Sequence, residues 1–224
     1  MGFSRLIKWI KPPVFLLCLV PAADLVWKYF RGGLTANPIE YIRNSTGFWT
    51  LTFLCVTLSV TPLRRLLRRN ELVRFRRMFG LFAFFYGFLH FITYIWLEQF
   101  FDFRAMVEDV YLRPFITAGF IAFVLLIPLA ITSTSGMVRR LGGRRWQMLH
   151  RLIYLSAIAG VVHYYWKVKS DVTVPVRFGV VVAILLGYRV VVYAMKRRSG
   201  ISPGAKQSSE RAAQRAAKQV SPSG

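Results

Sequence analysis

The chain holds three histidines, His90, His150 and His163, and each falls in an apolar stretch of about twenty residues. An ionisable side chain in such a stretch is costly to place and marks function by default. A neutral imidazole can give one ring nitrogen to a metal while a hydrogen bond holds the other. Two imidazoles at one depth on different helices can clamp a heme iron from both faces. His90 stands about thirteen residues beyond the arginine-rich start of its helix, and His163 a little farther along its own, with both helices running the same way. These two are the expected axial ligands. His150 lies thirteen residues before His163, about 20 Å along a helix axis. It suits an inner-side second heme or assistance to the same one. Thirteen residues also turn an ideal helix by about 220°, so His150 and His163 do not share a face. His150 has no histidine opposite it on the helix of His90, where Arg76 and Arg77 stand.

Small residues sit beside the two ligand candidates. Gly87 and Ala83 precede His90 by one and two turns, and Gly160 and Ser156 precede His163 at the same offsets, with Ala159 adjacent. Matching small stripes make room for a flat macrocycle, and equally let helices pack closely. Arg77 and Arg145 are the guanidiniums placed to meet an anionic group near His150, such as a propionate, a flavin phosphate or a quinone head group. The same arginines also read as solvated anchors at a membrane surface. Nothing else in the chain suggests catalysis: there is no phosphate-binding glycine loop, Ser–His–acid set or intramembrane carboxylate pair.

The elements that must position these residues are membrane spans. Of 224 residues, 55% are hydrophobic, and they gather into six blocks: Val14–Phe30, Phe48–Leu63, Met78–Leu97, Phe115–Ile131, Trp146–Trp166 and Val174–Met195. About twenty helical residues cross a bilayer core. The expected fold is therefore an all-α membrane protein, a six-transmembrane-helix bundle with intramembrane heme between the third and fifth helices. Short loops make consecutive helices neighbours. Arg31–Gly47, Arg64–Arg77 and Ser133–Gly143 read as loops, and no internal repeat stands out.

The net charge of +22 invites a nucleic-acid reading, which the placement of the charges opposes. With the N-terminus in the cytoplasm, 23 of the 31 Lys and Arg fall inside and seven of the nine acids outside. That is the positive-inside bias, which sets topology. It also suits contact with anionic lipid. The expected location is a bacterial inner membrane, multi-pass, with both termini cytoplasmic. Basic residues before Val14–Val20 and the small residues around Ala22-Ala23 also fit a signal peptide, whose removal would leave five spans. Cys18 and Cys55 lie in apolar spans and suggest no disulfide or metal site. A non-redox membrane scaffold or small transporter is the rival class. A transporter would more often show unwound helices or paired mid-membrane charges. Here Asp24, Arg177 and Arg189 lie toward span ends.

Several short stretches between Gly32 and Arg189 carry a family resemblance. They are Gly32-Gly33-Leu34, Thr61-Pro62-Leu63, Arg76-Arg77-Met78-Phe79-Gly80-Leu81, Leu89-His90, Arg113-Pro114, Thr132-Ser133-Thr134, Arg145-Trp146-Gln147-Met148-Leu149-His150 with Tyr154, and His163-Tyr164. In this order the chain resembles the heme-binding membrane subunits of bacterial periplasmic methionine-sulfoxide reductase systems, within the ferric-reductase-like transmembrane superfamily. The resemblance implies b-type heme, one or two, bound by these histidines, and flavin mononucleotide (FMN) as a further cofactor candidate. It implies electrons from a cytoplasmic flavin reductase or quinol, passed to a periplasmic molybdopterin-containing methionine-sulfoxide reductase that holds the substrate site. Residues 1–198 would form the transmembrane domain and 199–224 a polar cytoplasmic tail. Ferric reductases and NADPH oxidases of the superfamily carry two histidines on each of two helices and a cytoplasmic dehydrogenase domain. Here the earlier helix has His90 alone, and no length remains for such a domain.

Overall fold

A computed structural model describes residues 3–198, so the expected tail at 199–224 lies outside the described residues. Those residues fold into helices joined by short turns, with no strand among them. The helices are α1 (Phe3–Phe30), α2 (Pro38–Leu66), α3 (Val73–Ile92), α4 (Phe103–Leu112), α5 (Pro114–Ile131), α6 (Ser135–Leu141), α7 (Gly143–Leu149), α8 (Leu152–Lys167) and α9 (Thr173–Arg198). A 3-10 turn, Asn70–Leu72, leads into α3, and a π-helical segment, Thr93–Glu98, extends it. The chain divides into two compact units, Met1–Leu185 and Leu186–Gly224. The described part of the second is the last turns of α9.

Among the described residues five segments are long and apolar enough to cross a membrane: Trp9–Phe30, Pro38–Leu66, Asn70–Glu98, Pro114–Ile131 and Thr173–Met195. The expected fifth span, Trp146–Trp166, is not one helix. It breaks after Leu149, and α8 has 16 residues, about 24 Å of rise against a hydrocarbon core near 30 Å. The break is made by the backbone of His150, whose ψ of −4° ends the α-helical ladder in a tight turn closed by Arg151 N–H on the Met148 carbonyl.

Local chemistry explains the other boundaries. Asn37 caps α2 by accepting from the Glu40 N–H at 3.2 Å, and Pro38 opens the first turn. The stretch read as a loop up to Gly47 is thus helical from Pro38. Arg113-Pro114 opens α5, since proline suits a first helical turn. Between the expected third and fourth spans lies the amphipathic α4, capped by Asp102 on the Ala105 N–H. The loop read at 133–143 contains α6, capped by Thr134.

Two antiparallel hairpins carry the site. One pairs α2 with α3, the other α5 with α8, and α3–α5 and α2–α8 contacts close the four into a ring. The hydroxyls of Thr46, Thr50 and Thr57 on α2 each donate to the carbonyl four residues earlier, which satisfies them in apolar surroundings. Stacked Phe91 and Phe123, 4.6 Å apart, tie α3 to α5. Helix α1 leans on α2 and α3, where the fully buried Tyr86 hydroxyl donates to the Cys18 carbonyl at 2.8 Å and accepts from the Ala22 N–H at 3.2 Å.

Candidate functional site

Inside the ring lies a cavity of about 310 Å³, within the size range of small-molecule and cofactor sites. All four hairpin helices wall it, among others through Leu51 and Leu54 on α2, Gly87 on α3, Phe123 on α5 and Gly160 on α8. The expected slot between two helices is therefore a chamber between four. Its lining is mostly apolar, with His90 and His163 as its imidazoles.

The two rings face each other, their centroids 5.9 Å apart and their planes at 80°. Each is held from behind in the same way. His90 Nδ1 lies 2.9 Å from the Arg43 carbonyl of α2, and His163 Nδ1 lies 2.6 Å from the Phe115 carbonyl of α5. A carbonyl only accepts, so Nδ1–H donates in both cases and the lone pair is left on Nε2. Such an outer bond fixes the tautomer and strengthens the ligand nitrogen.

Glycines make the approach possible. A Cβ at Gly47 would stand 3.1 Å from His90 Cε1 and Nδ1, and one at Gly119 would stand 2.6 Å from His163 Nδ1. Each glycine lies four residues after the accepting carbonyl, one helical turn along the same face. The small stripes extend the pattern. Gly87 sits against Phe123 and Gly160 against Leu51, residues four beyond Gly119 and Gly47 respectively. The sequence showed no repeat, yet the two hairpins use one arrangement twice. Ser156, fully buried, closes the α5–α8 seam by donating to the Ala122 carbonyl at 2.8 Å.

His150 is elsewhere. It sits at the end of α7, outside the cavity lining, stacked on Trp146 with centroids 3.9 Å apart. Its Nε2 is 3.1 Å from Thr132 Oγ1. That hydroxyl donates to the Pro128 carbonyl at 2.6 Å, so towards His150 it accepts and Nε2 carries the hydrogen. Trp146 Nε1 donates to the Thr132 carbonyl at 2.9 Å, completing the knot. Burial, then the nearby Arg76 guanidinium, pushes the His150 pKa down to about 4, so its imidazole is neutral near pH 7. The turn at His150 also resolves the 220° conflict, since His150 and His163 do not belong to one helix. Arg77 and Arg145 are exposed and do not line the cavity.

Sequence reasoning missed the polar mouth of the cavity. Arg43, Asn44, Glu98, Arg113 and Lys167 line it. Arg43 pairs with Glu98, and Lys167 donates to Asn44. Asp109 gathers Tyr94, Gln99 and Arg113, at 3.0, 2.7 and 3.1 Å, which ties α4 to the π segment beyond His90. A π segment beside a site is a frequent functional marker.

The donor set fits a heme iron. Among the described residues no group of three or more His, Cys, Asp or Glu could hold a bare metal ion. Two imidazoles suffice only where a macrocycle supplies the other ligands. Metal–imidazole bonds near 2.0–2.1 Å put the centroids of two rings sharing one ion about 6 Å apart, which matches the spacing of His90 and His163.

Comparison with known proteins agrees with this chemistry. Residues 40–161 match the family described as ferric reductase like transmembrane component. A protein-methionine-sulfoxide reductase heme-binding subunit MsrQ from Herminiimonas arsenicoxydans is 56% identical over 192 residues, covering 85% of this chain and 88% of the relative. MsrQ proteins from Ralstonia nicotianae and Rhodospirillum rubrum are 50% and 49% identical, covering 88% and 85% of this chain and 92% and 91% of theirs. The family match runs from α2 into α8 and ends just before His163, the matches to the relatives cover 85–88% of the chain, and the chain belongs to the ferric-reductase-like transmembrane family and, within it, to the MsrQ subunits.

Proposed function

We propose that this chain is a b-type cytochrome of the bacterial inner membrane that passes electrons outward to a periplasmic methionine-sulfoxide reductase. The observation that carries this reading is the facing pair of imidazoles, His90 and His163, each with Nδ1 bonded to a backbone carbonyl and Nε2 free. Bound heme supplies one-electron chemistry there. The protein's share is to fix both nitrogens, exclude water with an apolar lining, and hold the site between the two membrane faces. In this reading α8 is a sixth span, shortened by the turn at His150, and the arginine-rich loops face the cytoplasm.

One heme is what the site supports best, because the Nε2 of His150 is engaged by Thr132. An inner-side heme on His150 would need the Thr132 contact broken or its Nδ1 used. The relatives' name, heme-binding subunit of a protein-methionine-sulfoxide reductase, supports both the cofactor and the partner, which we take to be a molybdopterin enzyme in the periplasm. A cytoplasmic flavin reductase or quinol is the proposed donor, and FMN, if bound, would meet the exposed Arg77 and Arg145 at the arginine-rich end.

A reduced-minus-oxidised optical spectrum of the purified chain, produced with heme supplied, tests the reading. A b-type signal that is reoxidised by the partner reductase with its substrate is expected. No signal at all would favour a non-redox scaffold.

A further inference from the structure

We infer that Gly47 and Gly119 are matched positioning residues, each clearing the path by which one imidazole reaches the backbone carbonyl that orients it. The inference rests on the proposed heme reading and adds residues on α2 and α5, which carry no ligand themselves. In a helix the carbonyl of residue i already accepts from the N–H of residue i+4. Its second lone pair is open on the side where the i+4 side chain would start. For Arg43 and Phe115 that residue is Gly47 and Gly119. A Cβ there would lie 3.1 Å from His90 Nδ1 and 2.6 Å from His163 Nδ1, inside or at the edge of contact distance. Only glycine lets the ring in without a shift.

The same device occurs on both sides of the cavity, although the helices share no evident sequence repeat. Plain helix packing would not require it. Close packing is met elsewhere, for example at Gly80, where a Cβ would find its nearest neighbour, Thr57 Cγ2, at an ordinary 3.7 Å. At Gly47 and Gly119 the three nearest atoms all belong to the imidazole.

The test uses the full chain, produced with heme supplied, as wild type, Gly47→Ala, Gly119→Ala and the control Gly80→Ala. Heme per chain, low-temperature EPR of the ferric state and the midpoint potential are read. Gly80→Ala should match wild type. Gly119→Ala should lose roughly 10–100-fold in heme affinity, the usual effect of removing a ligand's outer hydrogen bond. Gly47→Ala should lose less, with shifted EPR positions and a raised potential, because an imidazole without its carbonyl partner is a poorer donor to ferric iron. Should Gly119→Ala fail to accumulate, Gly47→Ala decides on the same criteria. Heme content, EPR and potential all unchanged in the glycine variants, with a heme-loaded wild type, overturn this inference alone. A wild type that takes up no heme removes the functional reading and this inference together.

Discussion

Replacing Tyr86 by Phe should loosen α1 and little else. Only 11% of the apolar window of α1 is buried in the protein, so few contacts other than lipid hold it in place. Tyr86 is fully buried, and its ring stacks on Phe53 at 5.3 Å. Phe keeps that ring and deletes only the hydroxyl. Two bonds go with it, the donation to Cys18 O at 2.8 Å and the acceptance from Ala22 N at 3.2 Å. Hydrogen bonds between membrane helices average about 0.6 kcal/mol and reach about 1.7. Leaving a buried group unpaired costs about 1–3 kcal/mol. The variant should thus lose about 1–3 kcal/mol, less than the 3–5 kcal/mol typical of truncating a buried aromatic to Ala. Reversible unfolding in mixed detergent and SDS micelles reads this difference, and heme content should stay at the wild-type level. A loss below about 0.5 kcal/mol would mean that α1 closes its own ladder between Cys18 and Ala22 without the Tyr86 hydroxyl, and that the hydroxyl does not hold α1.

Thr132→Val should free the His150 imidazole and weaken the α5–α7 junction by about 1 kcal/mol, leaving heme content unchanged; unfolding midpoints and heme per chain check this. Asp109→Asn should release Tyr94, Gln99 and Arg113 together, and amide exchange across 99–113 should quicken while exchange in α2 stays slow. Both native cysteines are buried, so single introduced thiols report topology. In intact spheroplasts Ser170→Cys should react with an impermeant maleimide, and Ser135→Cys should react only after the membrane is opened.

Hydropathy made most of the long helices legible, since the lipid-crossing segments are also the apolar blocks. Arg113-Pro114 marked the start of α5 because proline suits a first helical turn. Asn37-Pro38 is the same signal, but it lies in the stretch read as a loop up to Gly47, whose polar residues hid the first turns of α2. The break at His150 was not legible. No glycine or proline stands between Trp146 and Tyr154, on either side of the break, and the turn there is accompanied by contacts with Thr132 from another helix. The pairing of His90 with His163 was legible from depth and direction. Their tethers were not, because backbone carbonyls leave no residue signature. Gly47 and Gly119, each some forty residues before its histidine, were the only trace, and spacing of that length carries no helical period. The polar mouth escaped notice because its members come from α2, the π segment, the α4–α5 junction and α8, far apart in sequence.

Heme per chain, measured across wild type, His90→Ala, His163→Ala and His150→Ala after identical loading, decides whether His90 and His163 together hold the iron. One heme in wild type, loss in the His90 and His163 variants, and retention in His150→Ala are expected. Retention in His90→Ala together with loss in His150→Ala would contradict this pairing.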